Sequence, residues 1–490
     1  MALRTSLIAL ALLAVAGCGS TVTGPTAGGN SGLTAGSTTT QGSSQLSVPP
    51  GTSSIGGGGQ GAGTTTSVGG QSGVGATNGG SALAGGTTGQ TGPKLPPIQI
   101  GTYYLNGGNA ALAAAGFGGL VIPDNKPVFD AFVKYINAHG GLGGRQVQPV
   151  YFAYNEGQDP QAQDAAACAT FTQDHHVFLV VGGINSGAGE LLPCLAKHDV
   201  PLFSAATQGD ERFFAQYHRY AYEPDELNLT SGLQLLIGNL KQRGYLADVH
   251  RVGLVQYPGA VYDHAVTDGL IPALKSVGLS LTDRVTTSSS TDNSAIASGA
   301  TSAELRFSNE HIDLVVFVSP GGAAETYFMS NAQTQGYHPK YGIWSADSPS
   351  VLATTAPKSQ LAGSIGVGYL PGLDVAAAQD PTAQTPAAKS CLALGKKMGL
   401  DESGLGNALV RTSCDVFLTL QRVMATAGAT TSTAVFEQAV DAIGSSFSPA
   451  STFAIRWVTT HHDAAAGYRN LSYNSGCSCF VYAGSTQIIH

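Results

Sequence analysis

The sequence predicts an α/β protein with two doubly wound parallel-sheet lobes, preceded by a disordered tether. Three observations carry that prediction. From residue 97 onward, short apolar runs alternate with amphipathic stretches of helical length. The alternation restarts once after about residue 222, so two series follow one another. Ahead of both lies a long tract with neither charge nor aromatic side chains.

The first series opens with IQIGTYY (98–104), a strand, followed by the helix PVFDAFVKYINAHGG (127–141). Its Val128, Phe129, Phe132, Tyr135 and Ile136 share one face, and a Gly pair caps it. RQVQPVYFAY is the next strand, DPQAQDAAACATFTQ the next helix and VFLVVGG the strand after it. A short helix over Leu191–His198 leads into the strand VPLFSA. The second series predicts helices over Glu226–Arg243, Ala265–Val277, Ala295–Asn309 and 322–335. Its strands are RVGLVQY, GLSLTDRV, DLVVFVS and YGIWSA. Continuous apolar strands such as VFLVV and LVVFV suit parallel sheets covered on both faces. Ligands of such sheets bind beyond the carboxyl ends of the strands. The loops there read GGINSGAGE, SAATQGDE, QYPGAVYD, SPGGAAE and SADSPS, small and poor in charge.

The chain of 490 residues contains 66 glycines, only 11% charged residues and a net charge of −8. No basic cluster offers a surface for nucleic acid. Residues 1–17 read as a signal peptide: Arg4, then the run LIALALLAVAG, too short to span a bilayer as a mature helix. LAVAGC resembles the bacterial lipobox, which implies cleavage before Cys18, lipidation of that cysteine and a place on the extracytoplasmic face of the cell membrane. An ordinary secretory signal with a coincidental cysteine is the alternative. Residues 18–96 form the tether: Gly19–Pro93 holds no Asp, Glu, Lys or Arg. Such a tract cannot bury enough apolar surface to order itself, and as a coil it spans about 50 Å.

With Cys18 set aside, Cys168, Cys194, Cys391, Cys414, Cys477 and Cys479 remain, the even count a disulfide framework needs. Six cysteines permit 15 pairings. Proximity favours Cys168–Cys194 and Cys391–Cys414, while a bridge within Cys477-Ser478-Cys479 is strained and is left open.

Enzymatic signatures fail one by one. There is no GxxxxGK[ST], no HExxH and no GxGxxG after a strand; around Ser186 the residues Ile184 and Ala188 break GxSxG. The adjacent pairs His175/His176 and His461/His462 read as surface or turn residues, so neither a metal nor a cofactor is expected.

Two stretches carry a family resemblance. AFVKYINAHGGLGGRQVQPVYFAYNEGQDP and VVGGINSGAGELLPCLAKHDVPLFSAAT resemble the solute-binding proteins of ABC importers, branched-chain amino-acid type, with the type I periplasmic-binding-protein fold. The resemblance implies capture of a small solute, an amino acid or related carboxylate, by hinge closure and its delivery to a membrane permease. A ligand-sensing receptor component of the same fold is the alternative. It places Ser186, Ala205 and Thr207 at the solute's carboxylate, Asp225 at the lobe crossover, Tyr262 at an aromatic position and Asp347 at the ammonium. A turn residue (Ser186), helix caps (Thr207, Asp225, Asp347) and simple packing (Tyr262) are the competing readings. The resemblance implies a first lobe of residues 97–221 and 372–448 and a second of 222–371 and 449–490, joined by three crossovers. It departs from the family where AYEPDE stands in place of an arginine-containing segment.

Overall fold

The computed structural model describes residues 95–107, 109, 121, 124–155, 158–182, 189–204, 208–289 and 292–489. The signal and most of the tether, with Cys18, lie outside the described residues. Five strands build the first sheet: β1 (Ile98–Asn106), β2 (Val147–Asn155), β3 (Leu179–Val181), β4 (Leu202–Phe203) and β5 (Ala221–Tyr222). Their order is β2-β1-β3-β4-β5, every pairing parallel. The second sheet holds β6 (Val252–Gln256), β7 (Leu281–Thr286), β8 (Leu314–Val318), β9 (Lys340–Trp344), β10 (Ile365–Gly368), β11 (Gly467–Asn474) and β12 (Cys479–Ile488). The order is β12-β11-β10-β9-β8-β6-β7.

Each strand series is parallel because a helix returns the chain between strands. Helix Asn125–Ala138 buries Phe129, Phe132 and Ile136 on the first sheet. Its start is capped by Asp124, whose side chain accepts from the Lys126 N–H. The sequence predicts no antiparallel pair, yet β11 runs antiparallel to both β10 and β12. The reason is local: only a tight turn separates β11 from β12, too short for a crossover, so they fold back as a hairpin.

Helices Pro386–Lys397, Leu405–Ala427 and Thr433–Asp441 return to the first sheet, where Cys391, Leu409, Phe417 and Phe436 join a core containing Ile98 and Phe132. Phe132 stacks on Phe417 with ring centroids 5.2 Å apart. A corresponding core under the second sheet gathers Leu233, Leu236 and Leu240 of helix Leu229–Gln242 with Leu254, Val316 and Trp344. Gly232 lets that helix lie directly on the Trp344 ring, which any Cβ there would strike.

Two helices depart from the periodicity. The helix expected over Ala265–Val277 begins at Ala260 and passes through a π turn, Ala265–Leu270, before continuing over Ile271–Ser276. Gly269 in that turn backs onto the Thr230 carbonyl, where a Cβ would come within 2.7 Å. The helix expected from Glu226 begins three residues later, because Asn228 is its N-cap and accepts from the Ser231 N–H. Asp225 and Glu226 are therefore left in the chain crossing rather than on a helix.

All six described cysteines are paired: Cys168–Cys194, Cys391–Cys414 and Cys477–Cys479. The first two close loops with separations of 26 and 23 residues. Each should stabilise by on the order of 3 kcal/mol, against about 1 kcal/mol for the two-residue closure at Cys477–Cys479. Denaturant unfolding should accordingly show a large loss for the double variant Cys391→Ser/Cys414→Ser and a small one for Cys477→Ser/Cys479→Ser. Equal losses would contradict this ranking.

Candidate functional site

The chain passes between the two sheets three times: after Tyr222, after β10, and between Asp441 and β11. A few buried polar side chains tie these passages together. Asp415, on helix Leu405–Ala427, accepts from the N–H groups of Ala450 and Ser451, both at 2.8 Å, and from the Ser451 hydroxyl. Asp463 accepts from the main-chain and side-chain N–H groups of Asn228, each at 2.8 Å. Thr452 donates its hydroxyl to the Tyr369 carbonyl at 2.7 Å. The segment around Asp463 also pairs with the first crossing: Glu223 N–H donates to His462 O, and Ala465 N–H to Glu226 O.

This last pairing corrects the reading of His462 as a surface or turn residue. It is buried, stacks on Tyr222 at 4.6 Å and bonds Asp441 through Nε2 at 2.9 Å. His461 remains half-exposed beside Asp463.

A cavity lies where the crossings meet, opening to solvent through a cleft that encloses about 750 Å³ when the open solvent is included. The first crossing supplies Asp225 and Glu226, and the segments beyond the carboxyl ends of β8 and β9 supply Gly321, Ser345 and Ser348. Helix Leu405–Ala427 contributes Ala408, Arg411 and Thr412, and the third crossing Ser451. A smaller cavity shares Thr412 and reaches Val181 and Gly182 at the carboxyl end of β3. Both cavities thus sit where a doubly wound sheet binds ligands.

The six sequence-predicted residues divide three ways. Ser186, Ala205 and Thr207 lie outside the described residues; the small cavity reaches the strand end from which the Ser186 loop departs. Asp225 lines the large cavity, and the helix cap offered as its competing role belongs to Asn228. Tyr262 and Asp347 are not among the residues lining it. Tyr262 packs edge-on to Tyr257 at 5.9 Å, and Asp347 turns inward to accept from the Trp344 N–H at 3.0 Å.

Asp225 is the unusual member. It is 1% exposed, and among the described residues neither carboxylate oxygen accepts a well-formed hydrogen bond, the Ser451 hydroxyl and its own main chain easing it only in part. The Ser451 hydroxyl beside it is spent on Asp415. Burial, then the nearby Glu223 and Asp415 charges, push its carboxyl well above the usual range, and burial followed by Asp225 does the same to Glu226. Arg411 brings no free positive charge. It donates to the Ala450 carbonyl at 2.6 Å, to Thr382 and to Asp380, with which it forms a buried ion pair.

Sequence reasoning missed Glu226, Arg411 and Asp415. The signal was present for the last two: a cation and an anion four residues apart on the otherwise apolar face of LGNALVRTSCDVFL.

Behind the second sheet, Glu325 faces Asp347 and accepts from the Ser319 hydroxyl at 2.9 Å. Burial pushes Glu325 up to about 8, and burial likewise lifts Asp374 to about 7 and Asp415 to about 6. A carboxyl raised in the folded state binds its proton more tightly there than in the unfolded chain. Its contribution to stability is therefore full below the ordinary carboxyl range and is lost as pH rises through the raised value. Urea unfolding should show stability falling from pH 5 to pH 8, with a shallower fall in Glu325→Gln. A flat profile, or the same slope in the variant, would contradict the pairing.

The molecule matches known proteins in this setting. The periplasmic binding protein family model matches residues 112–393. No curated protein matches by sequence. Solved structures share the fold at low identity. The solute-binding protein of an ABC transporter from R. palustris, in complex with 4-hydroxybenzoate, superposes with a TM-score of 0.58 at 14% identity, over 80% of this chain and 97% of its own. A branched-chain amino acid ABC transporter protein from Thermus thermophilus with bound valine gives 0.57 at 14%, over 80% and 97%. A leucine binding protein from Thermotoga maritima gives 0.55 at 16%, over 80% and 98%. With a family model covering more than half of its residues, this chain belongs to the periplasmic binding protein family.

Proposed function

We propose that the protein captures a small solute between its two lobes and presents it to an ABC permease in the membrane. The observation that carries this reading is the cavity at the three crossings, bounded by the carboxyl ends of strands from the second sheet and by a helix packed on the first. A solute there contacts both lobes, so it binds more tightly when they close, and that differential affinity drives closure. The binding role, rather than catalysis, fits a site whose hydroxyls and carboxylates have no nucleophile–base pair in the sequence signatures.

The two similar proteins with bound valine and 4-hydroxybenzoate each hold a carboxylate-bearing molecule. An amino acid or related carboxylate is accordingly the proposed solute. Its carboxylate is assigned to Ser186, Ala205 and Thr207, in loops where neutral N–H and O–H donors converge on an anion without an arginine. Asp225 is assigned to the opposite, cationic end. The packed positions of Tyr262 and Asp347 favour supporting roles for both. The signal and Cys18 further support a lipid-anchored protein held at the extracytoplasmic face by a flexible tether.

A thermal-shift screen of the full chain in detergent against amino acids and organic acids tests capture. A true solute at 100 times its dissociation constant stabilises by about 2.7 kcal/mol, and Ser186→Ala should weaken the hit at least tenfold. An empty screen would contradict the reading. For the anchor, Cys18→Ala expressed in a bacterial host should move the protein from the membrane fraction to the soluble one, and a variant still in the membrane fraction would overturn it.

A further inference from the structure

Resting on that reading, the charge balance of the large cavity narrows the solute class. Two of its lining residues are acids, Asp225 and Glu226, adjacent in the first crossing. Among the described lining residues the one cation, Arg411, is already consumed by Asp380, Thr382 and the Ala450 carbonyl. Asp225 is almost wholly buried, and among the described residues neither of its oxygens accepts a well-formed hydrogen bond. A buried carboxylate in this state costs several kcal/mol unless something supplies donors and positive charge. Among the described residues only the Ser451 hydroxyl, which donates to Asp415, and the Asp225 main chain ease it, and neither brings positive charge. The groups facing it from neighbouring elements are Glu223 on its own segment and Asp415 on helix Leu405–Ala427, both acidic. Asp374 and Asp463 add to the same field at Glu226.

We propose that the solute is an amino acid of net positive charge, with a side chain ending in an ammonium or guanidinium group, and that Asp225 and Glu226 receive its cationic end. A zwitterion such as leucine brings a single ammonium to two carboxylates. An aromatic acid such as 4-hydroxybenzoate brings no cation to draw Asp225 and Glu226 into their ionised forms, and its own negative charge opposes that ionisation. Charge-assisted hydrogen bonds from a planar guanidinium or a three-donor ammonium satisfy the orphaned oxygens of Asp225 and neutralise the field together. The affinity order is therefore arginine or lysine first, leucine well behind and 4-hydroxybenzoate last.

Isothermal titration of the full chain in detergent against L-arginine, L-lysine, L-leucine and 4-hydroxybenzoate tests the order. Arginine or lysine should bind at least tenfold tighter than leucine. Asp225→Asn should weaken the basic amino acid at least tenfold while strengthening 4-hydroxybenzoate, an inversion that loss of structure alone would not produce. Glu226→Gln, with folding checked by circular dichroism, serves as the second variant and should act in the same direction. Leucine or 4-hydroxybenzoate binding as tightly as the basic amino acids, or a basic amino acid indifferent to both substitutions, overturns the inference and leaves solute capture standing. Silence from all four, together with silence across the wider screen, overturns both.

Discussion

The structure depends on burying carboxylates where three chain passages meet. Two sheets joined by single strands of chain would splay unless the passages were tied to one another, and main-chain groups in a crossing have no sheet ladder to satisfy them. Asp415 and Asp463 solve this by accepting from N–H groups of other passages. A charge-assisted bond to a main-chain N–H is stronger than a neutral one and offsets part of the desolvation that burial imposes. Asp374 does similar work for the second crossing, taking the Leu370 N–H and the Ser345 hydroxyl, each at 3.0 Å.

Against that background Asp225 is the exception that gives the site its character. Among the described residues its neighbours Glu223 and Asp415 are acids, Asp415 is committed to the third crossing, and the cation lining the same cavity, Arg411, is committed to Asp380. The same polar cluster that holds the lobes together therefore leaves one carboxylate exposed to the cavity in energetic terms, though not to bulk solvent. Small side chains at Gly321, Ser345, Ser348 and Ala408 keep the remaining wall open. Stability of the hinge and demand for a cationic ligand arise from one arrangement of charge.

Much of this was legible in the sequence. The alternation of IQIGTYY, VFLVV and LVVFV with amphipathic stretches gave strands and helices close to those observed, because buried parallel strands must be apolar on both faces. Proximity gave the pairings Cys168–Cys194 and Cys391–Cys414. What periodicity cannot see is which element a residue meets across the chain. The antiparallel β11–β12 hairpin, the burial of His462 under the Glu223 segment and the Arg411–Asp380 pair all depend on partners distant in sequence. The start of helix Leu229–Gln242 was misplaced because Asp225 and Asn228 are both good caps, and the Asp463 contact to Asn228 decides between them. Asp225, which the resemblance put at the lobe crossover, lines the large cavity, whereas Asp347, which it put at the ammonium, turns toward Trp344 and Glu325.

The most direct measurement is the titration of the Asp225 side-chain carbonyl carbon by NMR, with the Asp225→Asn variant fixing its assignment. A buried carboxyl without a partner, among acids, holds its proton far above the pH at which surface carboxylates ionise. Asp225 should stay protonated there in the free protein and ionise when L-arginine or L-lysine is added. Titration alongside the surface carboxylates in the free protein would mean that Asp225 is already solvated or paired, and would contradict the account.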